Sequence, residues 1–204
     1  MIEPDFVHLF IPPTAGASRV LLLLHGTGGE ESDLIPLGRE LDPTAALLSP
    51  RGQVLEGGNR RFFRRFAEGV FDEADVIRRA HELADFIVAA ATHYRVDLSR
   101  LTAVGYSNGA NIAAAIMLLR PEVLPAAVLL RAMMPLTHPP TPDLTGRRVM
   151  VVAGDADPII PLPNVRALAA LLTKGGAEVR LEIQPASHGL VAADLALAKH
   201  WIVG

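Results

Sequence analysis

No cysteine occurs in the 204-residue chain. Disulfides, thiolate metal sites and a thiol nucleophile are thereby excluded. Aromatic residues make up only 5% of it, so a core must come from Leu, Val, Ile and Ala, which a half-apolar chain supplies amply. Neither sign of charge is in excess. A formal net charge of -3 offers no basic face of the kind nucleic acids require, and no nucleic acid partner is expected. Long apolar runs are also missing: the cleanest, Val20 to Leu24, is far short of the about 20 residues that cross a bilayer. Met1-Ile2-Glu3-Pro4-Asp5 is acidic and shows no basic stretch ahead of an apolar one, so the reading is of a cytoplasmic chain without a leader or membrane contact. The seven His residues form no close pair with acidic neighbours at ligand spacing, and no metal site is expected.

What is present alternates. Short apolar runs (6–11, 20–24, 45–48, 101–104, 127–130, 149–153 and 179–183) read as strands. Between them lie helical patterns over 34–41, 73–93, 108–119, 164–174 and 190–201. In the second of these, Val76, Ala80, Leu83, Ile87 and Ala90 recur at helical spacing, with Arg78, Arg79, Glu82 and Asp85 on other faces. Strands rich in Val and Leu without polar alternation belong to a sheet buried on both sides, and their alternation with helices predicts a mainly parallel sheet in one α/β domain spanning 1–204. Such a sheet puts its chemistry at the carboxyl ends of its strands. Two irregular stretches, 50–70 and 133–146, are either substrate-facing loops or surface connections.

The sharpest local signal is Gly105-Tyr106-Ser107-Asn108-Gly109, set between a strand and the small-residue helix that begins at Ala110. A serine wedged between strand and helix needs a tight, strained turn, with glycines where neighbouring backbone passes close by. A carbonyl attacked there develops charge on oxygen, so fixed N–H donors must already be waiting. Asn108 N–H, at the start of a helix, is one candidate. Thr27 N–H, in the loop His25-Gly26-Thr27-Gly28-Gly29 after the second strand, is the other. That loop lacks the Gly-Lys-Ser/Thr ending of a phosphate-binding loop. His25 is read as holding it in place.

A serine hydroxyl needs a base, and the base needs an orienting carboxylate. Of the histidines that follow Ser107, His138 lies in a Pro/Thr loop and His200 late in the last helix, where partial burial is expected. His188, between the last strand and the last helix, is best placed. The acid should follow the preceding strand, where Asp155 and Asp157 compete on nearly equal terms.

Taken together, these segments resemble the phospholipase/carboxylesterase family of α/β-hydrolases, which includes the acyl-protein thioesterases, and most of all its bacterial members associated with hydroquinone resistance. The likeness rests on LLLLHGTGG (21–29), RRFFRRFAEGVFDE (60–73), GYSNGANIAA (105–114), GDADPIIP (154–161) and Ser187-His188-Gly189, in order along nearly the whole chain. It implies an α/β-hydrolase fold with helices on both faces and a Ser107–His188–Asp157 triad. Asp157 is singled out because the family's acid precedes Pro-x-Ile/Val-Pro. It further implies no cofactor, frequent homodimers, and a small-molecule ester as substrate. Acyl-protein thioesterases typically carry glutamine after the nucleophile. Asn108 departs from that and weakens the case for lipidated proteins, although the backbone N–H serves either way. Thioesters and an enol-lactone are the alternatives for the same triad. A ligand-sensing module would lack part of this set, and none of it is missing.

Residues 59–66 interleave four arginines with three phenylalanines. They read either as a solvated basic loop, paired by Glu30, Glu31, Asp33, Glu68 and Asp72, or as a pocket wall. In the second reading Phe62 or Phe63 faces an aryl or acyl group, Arg64 meets a substrate carboxylate, and Met133 adds to the wall. Too little chain remains for a large lid, so an open site for small to medium acyl or aryl esters is expected.

Overall fold

A computed structural model of the chain describes residues 6–204. Met1 to Asp5, on which the reading of no leader rests, lie outside the described residues. The elements run β1 (His8–Ile11), β2 (Val20–Leu24), α1 (Ile35–Leu41), β3 (Ala46–Pro50), β4 (Val54–Glu56), β5 (Asn59–Arg61), β6 (Arg65–Ala67), β7 (Val70–Phe71), α2 (Glu73–Tyr94), β8 (Leu101–Tyr106), α3 (Asn108–Leu119), β9 (Ala126–Leu130), β10 (Arg148–Gly154), α4 (Leu162–Lys174), β11 (Glu178–Gln184) and α5 (Ala192–Val203).

Seven strands form one sheet in the order β1-β3-β2-β8-β9-β10-β11. Only β1 is antiparallel to its neighbour. Alternate residues of the inner runs go to opposite buried faces, which is why those runs need no polar positions, whereas the edge strand β11 carries Arg180 and Glu182. Val20, Leu22 and Leu24 join Val149, Val151 and Ala153 under α2, α3 and α4. Leu21 and Leu23 join Met150 and Val152 under α1 and α5, where Leu41, Ala198 and Trp201 close the second core. This is the α/β-hydrolase fold. Among the described residues no helix is long and apolar enough to cross a membrane.

The chain leaves β2 toward β3 and later returns to place β8 on the other side of β2. Strand order therefore reverses between β2 and β8, and a crevice opens at their carboxyl ends, where ligands bind in open parallel sheets. The stretch 50–70 is not an unstructured loop. It folds as two hairpins, β4–β5 and β6–β7. The first turns on Gly57-Gly58, both at positive φ (+56° and +84°), as a two-residue hairpin with right-twisted strands demands. These hairpins stand where a lid would, and among the described residues no helix covers the crevice. The stretch 133–146 has neither strand nor helix.

Candidate active site

Ser107 ends β8 and opens α3 with φ at +51°. Its N–H donates to Leu130 O at 2.8 Å, which pins the turn to β9. Gly109 permits the turn, because a Cβ there would fall inside the Leu24 carbonyl of β2. Ser107 Oγ lies 2.9 Å from His188 Nε2, and His188 Nδ1 lies 2.8 Å from Asp157 Oδ2. An ionised carboxylate only accepts, so Nδ1 carries the proton and Nε2 is free to receive one from the serine. Asp157 is locked in turn: its Oδ1 accepts from Ile159 N–H at 2.8 Å and Ile160 N–H at 3.2 Å. Both carboxylate oxygens are thus engaged, Oδ1 by the two backbone N–H groups and Oδ2 by His188. Asp155, the rival acid, is exposed and takes no part. His138 and His200 are exposed as well, so His200 does not show the partial burial expected of it.

The loop after β2 brings Thr27 to the same cleft. Neither Thr27 N–H nor Asn108 N–H is bonded to another group among the described residues. His25 anchors this loop. Its Nε2 accepts from Gly52 N–H at 2.9 Å, and its Nδ1–H donates to Gly26 O at 2.7 Å. Burial pushes the imidazole below its ordinary pKa, against the pull of the Gly26 carbonyl and Asp33. A neutral ring is what that bonding pattern needs.

The cleft holds about 260 Å³ and is lined by Thr27, Ser107, Asn108, His188 and Met133 from among the expected residues. Three expectations for its wall are corrected. Phe62 and Phe63 are buried, at 3% and 0% exposure, and do not line it. The Phe62 ring packs on His25 and the Phe63 ring on Phe71. What Phe62 presents to the site is its backbone N–H, which donates to Asn108 Oδ1 at 2.7 Å. Arg64 points to the start of α2, where it meets Asp72 at 3.0 Å and the buried Asp75 at 3.7 Å. The helix terminus attracts carboxylates, and they take this arginine away from the cleft.

Its neighbours face the cleft instead. Arg61 and Arg65 line it, with Glu68, Gly69, Phe71, Tyr106, Asn111, Ile159 and Ile160. Arg61 Nη1 donates to Thr27 Oγ1 at 2.6 Å and its Nε to Phe63 O at 3.1 Å. Burial pushes this guanidinium down to about 10. Glu56 stands 3.6 Å from Arg61 and 3.7 Å from Arg65. Antiparallel pairing of Val54 with Arg61 fixes which arginine turns inward. The only trace of that register in the sequence is the Gly57-Gly58 turn. No group of His, Asp and Glu among the described residues is arranged to hold a metal.

Geometrically, this is a hydroxyl in line with a base and a buried carboxylate, beside two unoccupied N–H donors. The sequence profile of the dienelactone hydrolase family matches residues 61–198. A Bacillus subtilis (strain 168) protein named as a hydrolase, MhqD, is 44% identical over 185 residues, which are 91% of this chain and 92% of that one. Among solved structures, the Bacillus cereus carboxylesterase is 42% identical with a TM-score of 0.94, over 98% of this chain and 94% of that one. The Mesorhizobium loti carboxylesterase is 38% identical with a TM-score of 0.88, over 92% and 90%.

Proposed function

Because the chain belongs to the dienelactone hydrolase family and is a hydrolase of the carboxylesterase type, we propose that it cleaves small to medium acyl or aryl esters through an acyl-enzyme on Ser107. The observation that carries this reading is the unbroken line Ser107 Oγ, His188 Nε2, His188 Nδ1, Asp157 Oδ2, at 2.9 and 2.8 Å, opening on a lidless cleft.

Ser107 Oγ attacks the ester carbonyl carbon and gives its proton to His188 Nε2. The carbonyl oxygen becomes an oxyanion between the N–H groups of Thr27 and Asn108, at a helix N-terminus that favours negative charge. When the tetrahedral intermediate collapses, the alcohol leaves with the proton from Nε2. Water then attacks the acyl-Ser107 carbonyl and gives one proton to His188. The second collapse releases the acid and returns the proton to Ser107. Asp157 stays ionised throughout and keeps His188 in the one useful tautomer. The substrate is a small molecule met in the cytoplasm, and no cofactor enters any step.

Wild type and Ser107→Ala are compared on a series of p-nitrophenyl esters of rising acyl length. Loss of about 10⁴- to 10⁶-fold in kcat in the variant is expected. The reading fails if the variant keeps its activity, or if the folded wild type turns over none of the series.

Hydrolysis of a lactone carrying a carboxylate is a second reading. It is favoured by the two guanidiniums, Arg61 and Arg65, in the cleft wall. One carboxylate, Glu56, is shared between the two guanidiniums as ion pairs of 3.6 and 3.7 Å, longer than direct hydrogen bonds. The same machinery opens a ring in place of expelling an alcohol.

A further inference from the structure

His188 is carried by a segment without regular structure, 185–191, between β11 and α5. β11 is an edge strand, bonded only to β10. Asp157 sets the angle of the imidazole, but the height of the segment over the sheet needs another support. Three consecutive carbonyls supply one. Ser187 O accepts from Arg131 Nε at 3.0 Å, His188 O from the Tyr106 hydroxyl at 3.2 Å, and Gly189 O from Arg131 Nη2 at 3.0 Å.

Arg131 is wholly buried and follows directly on β9. Its φ is +57°, a left-handed conformation unfavourable for a residue with a side chain. Its own N–H donates to Val152 O at 2.8 Å, so the guanidinium is mounted on the middle of the sheet. Asp194, also wholly buried, grips it at 2.7 Å and accepts Val191 N–H at 2.8 Å at the start of α5. A buried ion pair of this kind stabilises a fold no better than apolar side chains of equal volume. Strained backbone and desolvated charge are here combined directly beneath the segment that bears His188.

We propose that Arg131, held by Asp194, is a positioning residue. With the Tyr106 hydroxyl, its guanidinium fixes His188 Nε2 at the distance from Ser107 Oγ that proton transfer needs. This rests on His188 as the base of the proposed reaction. Nothing about Arg131 follows from its sequence neighbourhood, Leu130-Arg131-Ala132.

The test uses three variants. The double variant Arg131→Met/Asp194→Leu removes both charges, so neither is buried alone. Arg131→Lys keeps the charge but cannot reach two carbonyls, and Tyr106→Phe removes one hydroxyl. Each is read three ways: thermal midpoint, kcat and KM on p-nitrophenyl acetate, and the low-field proton resonance of the His188–Asp157 hydrogen bond, assigned by its absence in His188→Gln. The double variant is expected to fold and to lose about 100-fold in kcat with KM nearly unchanged, since a displacement near 1 Å has that effect. Its low-field resonance should broaden or vanish. Arg131→Lys falls between it and wild type, and Tyr106→Phe loses several-fold in kcat.

A folded double variant with kcat and resonance unchanged overturns the proposal. So does a fall in thermal midpoint with the resonance intact, which makes the pair a stabilising device only. Should the double variant not fold, Tyr106→Phe decides: a weakened resonance with lowered kcat supports the proposal, and wild-type values for both overturn it. The resonance is read without substrate, so an enzyme that cleaves no ester refutes the hydrolysis reading separately from this one.

Discussion

Ser107 is held at a backbone angle that costs about 1–3 kcal/mol and persists only because its surroundings over-determine it. Gly109 is among those surroundings. Gly109→Ala would drive a methyl group into the Leu24 carbonyl, and something must shift. We expect a loss of about 1–3 kcal/mol in stability and of at least about 100-fold in ester hydrolysis, read by thermal melting and kcat. Asp157→Asn tests a different feature of the same site. An amide can still accept from Ile159 and Ile160 through its oxygen, but its nitrogen then faces His188 Nδ1 and forces the wrong tautomer. A fall of about 10⁴-fold in kcat is expected, with the thermal midpoint little changed. Equal losses in both quantities would mean that Asp157 mainly holds its loop. On the cleft wall, Arg65→Ala should lower the preference for p-nitrophenyl monosuccinate over p-nitrophenyl butyrate about tenfold in kcat/KM. An unchanged ratio removes the reason for the lactone reading.

Elements differ in how plainly the sequence announces them. The five inner strands of the main sheet were legible because each is a short apolar run buried on both faces, the partly buried edge strands because Leu, Phe, Val and Ile still mark them, and α2 because its apolar spacing is regular. Ser107, His188, Thr27 and Asn108 were singled out because strand ends carry the chemistry in this topology, and Asp157 over Asp155 only through the family resemblance; the structure brings Ser107, His188 and Asp157 into one hydrogen-bonded line. The hairpins were not legible: strands of two or three residues have no measurable period, and the one firm sign, Gly57-Gly58, was read as part of a loop. That miss propagated to the wall, for the pairing register decides that Arg61 turns inward while Phe62 and Phe63 enter the core. His25 joins β2 to this hairpin region through Gly52, and its pKa is depressed by burial. An unfolded His titrates near 6.5, so between that value and the lower folded one the unfolded chain binds more protons. Stability from the neutral ring is complete above about pH 6.5 and declines as pH falls below it. In a series of melts from pH 8 to pH 5, the wild-type midpoint should drop more steeply than that of His25→Gln below about pH 6.5. Parallel curves would exclude the linkage.

At the scale of the molecule, Arg131 and Asp194 join the ends of β9 and β11 to α5 across the layer. Replacing Arg131 alone by Met leaves the Asp194 charge buried without a partner. That should cost about 3–5 kcal/mol, or roughly 6–20 °C in the thermal midpoint of a chain of this length. Calorimetry checks it, and a midpoint within about 2 °C of wild type would mean the charge is not desolvated as described. The two hairpins stand apart from this framework. Their strands pair with none of the main sheet's strands, and they carry the exposed Leu55, Phe66 and Val70. Three threads tie them to the two candidate oxyanion-donor segments: Phe62 N–H to Asn108, Arg61 to Thr27, and Gly28 N–H to Arg60 O. The chain from Gln53 to Phe71 is in effect an interchangeable cassette. A graft of that segment from a related hydrolase, keeping those three bonds and the buried Phe62 and Phe63, would exchange the clientele of the enzyme while leaving its engine untouched.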